Sequence, residues 1–224
     1  MYKYSIICTD LKLMKENPVN ESCVGSILHQ TYEDFQIVIP MEDKDKDWEY
    51  PENMTVYTTK AKSFHTTMKS ALRKVKGDAV IFLNHRTFLP DNYLEIMDLN
   101  FHPYEKPVCY SPYTWNFGDR ANEFISYNYD KALLHRVCYI PLPTMVIAKN
   151  VLDEVKFNKD FEYLYWWNFI ADIALNWEFT FIPDLCITFT EPDSDKDIYS
   201  IPMVESVKNN EVLEIRKTHQ ELIK

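Results

Sequence analysis

The chain has 224 residues, with 24 Lys and Arg against 34 Asp and Glu, a net charge of −10 and a mean hydropathy of −0.34. With 46% hydrophobic and 15% aromatic residues it can build a full core, which excludes global disorder. The acidity argues against nucleic acid or an anionic membrane as a partner, because both call for a basic surface. One ordinary α/β domain, or two small ones, fits this length.

The predicted elements run as follows. Residues 4–9, YSIICT, form a β-branched run of the kind seen in buried parallel strands. A helix is expected from about Asn20, a plausible cap, with Cys23, Val24, Ile27 and Leu28 on one apolar face. Strands are predicted at 35–39 (FQIVI) and 54–58, separated by Pro40 and the acidic stretch MEDKDKD. Residues 64–76 read as a basic amphipathic helix, with Met68, Ala71, Leu72 and Val75 inward, Lys69, Arg73, Lys74 and Lys76 outward, and Gly77 as its C′ glycine. The most apolar strand is 79–83, AVIFL, and Pro90 opens a helix over about 91–99. Strand, helix, strand, strand, helix, strand in this order implies a parallel sheet with right-handed crossovers.

The second half is less regular. Strands are expected at 108–115 and within 137–148, a helix over about 162–176, and a strand at 179–183. Residues 190–203 are acidic and proline-bearing, a loop or linker. A final helix spans about 204–223, with Val204, Val207, Val212 and Ile215 as its sparse apolar stripe.

Several function classes fail early. The three glycines, Gly25, Gly77 and Gly118, stand too far apart for any glycine-rich phosphate cradle or a G-x-S-x-G elbow. The five cysteines form no C-x-x-C pair and sit in apolar surroundings, which suggests buried reduced thiols in a cytoplasmic setting. No apolar run reaches the length of a membrane span, and the six histidines lack zinc-hydrolase spacing.

The stretch SILHQTYEDFQIVI (26–39) resembles the second block of glycosyltransferase family 2, in which a helix end, a Q-T-Y turn and an F-x-I-x-I strand follow one another. Four more blocks resemble the family in the same order: YSIICTD, ALRKVKGDAVIFLNHRTFLPDNYLE (71–95), TMVIAKNVLDEVKFN (144–158) and IALNWEFTFIPD (173–184). The resemblance spans about residues 3–190. It implies a GT-A fold: Rossmann-like, three-layer α/β/α, with a mixed and mostly parallel central sheet. The GT-A domain would occupy 1–190, with 191–224 an acidic linker and a C-terminal helix packed on or flanking it. The activity implied is transfer of a sugar from a nucleoside-diphosphate donor, of UDP or dTDP type, to a hydroxyl of a glycan or glycoconjugate, usually with inversion. Cytoplasmic polysaccharide assembly is the corresponding setting.

Ligands of open α/β sheets bind beyond the carboxyl ends of the strands. There the family mapping puts Thr9, Asp10 and Glu42 near the nucleoside, and Lys62 and Lys69 near the phosphates. A solvated acidic loop is the competing reading of Glu42 and Asp43, and an exposed helix face that of the lysines. The family's metal motif, D-x-D, is replaced by Asn84-His85-Arg86. Arginine supplies charge to a diphosphate but cannot ligate Mg²⁺ or Mn²⁺, so Arg86 with His85 takes the place of the metal, or the donor site has decayed. A metal on Asn84, His85 and Asp91 ranks lower. The family's E-D base pair falls on Tyr165 and Trp166, leaving Glu162 and Asp172 as candidate bases, with a structural ion pair as the alternative for Asp172. Tyr165, Trp166 and Trp167 offer aromatic faces to an acceptor sugar, or pack in the core. The competing function is a catalytically inactive GT-A module that binds a glycan or a protein.

Overall fold

A computed structural model describes residues 2–8, 23–41, 51–60, 64–116, 123–161, 164–190 and 205–223. Its first strands are β1 (Tyr4–Cys8), β2 (Phe35–Met41), β3 (Met54–Thr58) and β4 (Ala79–Leu83), with helices α1 (Cys23–Leu28) and α2 (Phe64–Leu72) between them. Next come β5 (Thr87–Phe88), α3 (Tyr93–Asn100), β6 (Val108–Tyr110), β7 (Tyr113–Asn116), β8 (Glu123–Ile125) and α4 (Lys131–Arg136). The chain continues through β9 (Met145–Ala148), α5 (Lys149–Glu154), α6 (Tyr165–Asn176), β10 (Thr180–Phe181), β11 (Ile187–Thr190) and α7 (Glu205–Thr218).

Seven strands form the main sheet in the order β10-β6-β9-β4-β1-β2-β3, and a second sheet runs β5-β11-β7-β8. In the main sheet β4, β1, β2 and β3 are mutually parallel, β9 is antiparallel to both its neighbours, and β10 is parallel to β6. Both β1 and β4 are buried along their whole length, as continuous apolar runs covered on both faces must be. Alternate side chains separate those faces. On the Tyr4 face lie α1 and α3, with the Tyr4 hydroxyl donating to Asp98. The Ser5 face carries α2 and α6, with Phe82 meeting Phe169 of α6 edge to face at 6.4 Å. The result is the mixed, mostly parallel α/β/α arrangement of a GT-A fold.

The Q-T-Y turn is a clasp between α1 and α3. Gln30 accepts from Leu94 N at 2.9 Å and donates to Pro90 O at 2.7 Å. Thr31 N donates to Asp91 O at 2.8 Å and its hydroxyl to Glu95 at 3.0 Å, while Tyr32 OH donates to Asp98 at 3.1 Å. Two blocks distant in sequence thus bond each other.

Four expectations change. The basic helix ends at Leu72, because buried Gln36 of β2 takes the Lys74 carbonyl (3.2 Å) and the Lys76 N–H (2.7 Å) and draws those residues out of the helix. Gly77 therefore caps nothing. A Cβ there would lie 2.7–2.9 Å from main-chain atoms of Lys3, Tyr4 and Ser5, so close approach to β1 is what requires glycine. The expected strand at 108–115 splits at Ser111-Pro112 into β6 and β7, which belong to different sheets. Within 137–148 only Met145–Ala148 is strand, preceded by α4, whose N-cap Asp130 accepts from Leu133 N at 2.9 Å. The Asn20 cap and Val204 lie outside the described residues.

Candidate functional site

The carboxyl ends of β1, β2, β3, β4 and β6 share one edge of the main sheet. The chain steps from β1 to β2 in one direction and returns from β3 to β4 on the other side of β1. The strand order therefore reverses between β1 and β4, where ligands of open α/β sheets bind. Asn84-His85-Arg86 follows β4 at this point. By sequence, Thr9 and Asp10 follow β1 and Glu42 follows β2. Thr9, Asp10, Glu42, Lys62 and Glu162 lie outside the described residues.

The 84–86 loop is tightly built. Asn84, 8% exposed, accepts through Oδ1 from Arg86 N at 3.1 Å and Thr87 Oγ1 at 2.8 Å, an Asx-type turn. Arg86 is 3% exposed, its carbonyl accepts from Thr190 N of β11 at 3.1 Å, and its Nε donates to His85 Nε2 at 3.2 Å. That last bond makes Nε2 of His85 an acceptor and leaves Nδ1 as its proton-bearing nitrogen. The guanidinium is thus buried with its Nε held on His85, in a setting of low dielectric where it attracts an anion far more strongly than a solvated arginine does.

This donor set does not fit a divalent metal. Both lone pairs of the Asn84 amide oxygen are engaged inside the loop, and Arg86 is a cation. Asp91 is exposed, its carbonyl accepting from Thr31 at the start of α3. Among the described residues no group of three or more His, Cys, Asp or Glu side chains is placed to hold a metal ion.

Two strands away on the same edge, Ser111 is 2% exposed, and its hydroxyl has no hydrogen-bond partner among the described residues. Sequence reasoning did not single it out, although a Ser-Pro step directly after an apolar strand is a visible signal. Beside it the second sheet carries Tyr113, Trp115 and Phe189, with Trp115 and Phe189 at 5.0 Å. Burial, followed by the neighbouring Cys138, pushes the Tyr113 phenol up to about 12.

On α6, Tyr165 and Trp167 are buried at 4% exposure each, and Trp167 Nε1 donates to Leu134 O at 2.8 Å. Trp166 is half-buried. Lys69 lies on the exposed side of α2. Asp172 is engaged on both oxygens: Oδ2 accepts from Asn168 Nδ2 and Oδ1 lies against His219 Nε2, each at 2.8 Å. His219, 2% exposed, also contacts Ile215 O through Nδ1 at 2.8 Å. Nearby, Glu211 of α7 accepts from Leu164 N at 2.7 Å, at the start of α6. A polar cavity of about 480 Å³ between α6 and α7 is bordered by Phe161, Asn168, Asp172, Glu211 and His219. No local sequence pattern announces Glu211 or His219, because their partners stand 47 residues away.

No protein-family model matches the chain, and no curated protein sequence does. Solved structures do match. TarS 1–349 from S. aureus in complex with UDP-GlcNAc aligns with TM-score 0.73 and 14% identity over 97% of this chain and 66% of that one. The UDP complex of the same protein aligns with TM-score 0.66 over 97% of this chain and 65% of that one, again at 14% identity. A further S. aureus TarS structure aligns with TM-score 0.64 at 14% identity, over 97% of this chain and 43% of that one. The chain therefore spans less than two thirds of the TarS chains it resembles, and the likeness is one of fold. Among the described residues, no helix is long and apolar enough to cross a membrane.

Proposed function

We propose that the protein is a glycosyltransferase of the family 2 type, which moves a sugar from a UDP- or dTDP-linked donor to a hydroxyl of a glycan or glycoconjugate. The observation that carries this reading is the buried Arg86 at the β1/β4 reversal point, in a fold shared with a protein solved with UDP-GlcNAc. In the proposed reaction the acceptor oxygen attacks the anomeric carbon from the face opposite the diphosphate. The bond from that carbon to the diphosphate oxygen breaks with inversion, and the nucleoside diphosphate leaves with the electron pair. Arg86 meets the developing negative charge, the office a metal performs in other GT-A sites, so the reaction is metal-independent. His85 orients the guanidinium and Asn84 shapes the loop around it.

Thr9, Asp10 and Glu42 hold the nucleoside, and Lys62 supports the phosphates. Glu162 takes the acceptor proton, the assignment supported by the engagement of both Asp172 oxygens elsewhere. Trp166 keeps a partly open face for the acceptor sugar, whereas Tyr165 packs inward. Turnover of a panel of nucleotide sugars, with and without EDTA, tests the reading. EDTA-insensitive release of nucleoside diphosphate is expected. Loss of release in EDTA would overturn metal independence, and neither turnover nor nucleotide binding would overturn the transferase itself. The altered acidic motifs favour one competitor, a non-catalytic GT-A module, and nucleotide binding without turnover is its signature.

A further inference from the structure

We propose that the polar cavity between α6 and α7 is a binding site for a cationic amine, and this holds whether or not the chain transfers a sugar. The cavity measures about 480 Å³, room for an amino sugar or a short polyamine. Its origin lies in what α7 turns toward α6. Residues three and four apart share a helix face, and along that face α7 offers Glu211, Glu214, Ile215 and Thr218. Of these only Ile215 is apolar, and it is fully buried, so the helices seal there and leave the cavity on the carboxylate side. Two polar anchors hold the docked segment: Glu211 accepts from Leu164 N at 2.7 Å, and His219 meets Asp172 at 2.8 Å.

Charge defines the occupant. Among the described residues, four carboxylates border the cavity, those of Asp160, Asp172, Glu211 and Glu214, and no lysine or arginine does. The one basic group there, His219, already lies against Asp172. Lys217 stands 3.9 Å from Glu214, but that pair is exposed, and exposed pairs hold each other weakly. Asn168, 3% exposed, points to a ligand independently of the acids. Its Nδ2 donates to Asp172 at 2.8 Å, which fixes the orientation of the amide. Its Oδ1 has no hydrogen-bond partner among the described residues, at the wall of the cavity. A buried acceptor left without a donor is costly, and a ligand N–H removes that cost. Phe161, 5% exposed, gives an apolar wall for a carbon frame. A metal ion fits less well, since among the described residues no three acidic, histidine or cysteine groups are placed to hold one. An ammonium carries three donors on a compact charge and so suits a site built of acceptors.

Isothermal titration calorimetry of the protein at pH 7 tests this, with spermidine, glucosamine, N-acetylglucosamine and calcium chloride as probes. At least one amine is expected to bind with a dissociation constant below about 1 mM, weakened severalfold by raised salt. Binding of spermidine alone assigns a linear polyamine, of glucosamine alone an amino sugar, and of both the ammonium group they share. N-acetylglucosamine, which has no charge, is expected not to bind. The double variant E211Q/E214Q removes two charges, while the amide at position 211 keeps an oxygen for the Leu164 N–H. It should weaken the amine by about tenfold or more. If it does not fold, E214Q alone decides, with an expected loss of about threefold from its exposed position. Wild-type amine affinity in the folded variant places the binding elsewhere and overturns the proposal. So does the absence of amine binding at about 10 mM, calcium binding without amine binding, or N-acetylglucosamine binding as tightly as the amines.

Discussion

In the proposed transferase Arg86 takes the place of an acidic metal ligand, and substituting it separates the two chemistries. Arg86→Ala is expected to reduce kcat by on the order of 10²–10³-fold, the usual cost of removing one donor to a developing oxyanion. Arg86→Lys recovers only part of this, because an ammonium lacks the planar fork. Steady-state release of UDP checks both, and an alanine variant with wild-type kcat would exclude Arg86 from the chemistry. Gly77 is a residue-scale case of pure space. A methyl group at Gly77→Ala meets main-chain atoms at 2.7–2.9 Å, so the strand-to-strand approach must open, at a cost of about 1–3 kcal/mol or more. Thermal melting should show this as a fall in Tm of several degrees, and an unchanged Tm would contradict the contact. The sequence places Asn84, His85 and Arg86 by their distance past an unmistakable apolar strand. It says nothing of Gly77's reason, since a helix-capping glycine and one pressed against a strand look alike until the neighbouring chain is known.

Two elements meet at the Gln30 clasp. Gln30→Ala would leave the Leu94 N–H and the Pro90 carbonyl without their side-chain partner between α1 and α3, at a cost of about 1–3 kcal/mol for each buried group. Urea denaturation measures this, with nucleotide affinity expected to stay near wild type because the hydrogen bonds of the Gln30 side chain go to Ser26, Pro90 and Leu94 and not to residues 84–86. A large loss of affinity at full stability would show that the turn serves the ligand instead. The α6 and α7 pair gives a second comparison. Asp172→Asn weakens the contact with buried His219 and should lower stability by about 1.5–3 kcal/mol while leaving kcat largely intact. Glu162→Gln is expected to do the reverse, abolishing transfer with little change in Tm. The opposite pattern would make Asp172 the base. Long apolar-periodic elements such as β1, β4 and α6 are legible from residues alone. The six-residue α4 and two-residue β5 are not, because neither is long enough to show a period.

At the scale of the whole molecule, stability has a defined alkaline limit. Burial, then the hydrogen bond to the Asp98 carboxylate, pushes the Tyr32 phenol from 10.0 up to about 12. Burial lifts the Cys109 thiol from 9.0 to about 12, with the Lys106 charge opposing. Tyr4, Tyr93 and Tyr110 are raised in the same direction, chiefly by burial. Above pH 9 the folded protein keeps protons that the unfolded chain releases. Stability is therefore at its full value below that pH and falls as pH rises toward about 12. Urea midpoints at pH 8.5 and pH 11 check the sign, and a midpoint that holds or rises would refute it. The parallel core β4-β1-β2-β3 follows from the order of predicted elements, because right-handed crossovers leave few alternatives. The second sheet does not, since it pairs β5, β11, β7 and β8 across a hundred residues with no local signal.

The Leu164–Glu211 bond also has a consequence in time. A chain emerges from the ribosome at about 5–20 residues per second and its earlier parts fold first, so α6 exists for seconds before α7 is made. During that interval the main sheet is complete in sequence while the entrance to α6 still lacks its carboxylate. The nascent domain closes the entrance to α6 only when α7 arrives, and a translational pause between residues 190 and 205 would lengthen the incomplete stage without altering a single residue of the finished protein.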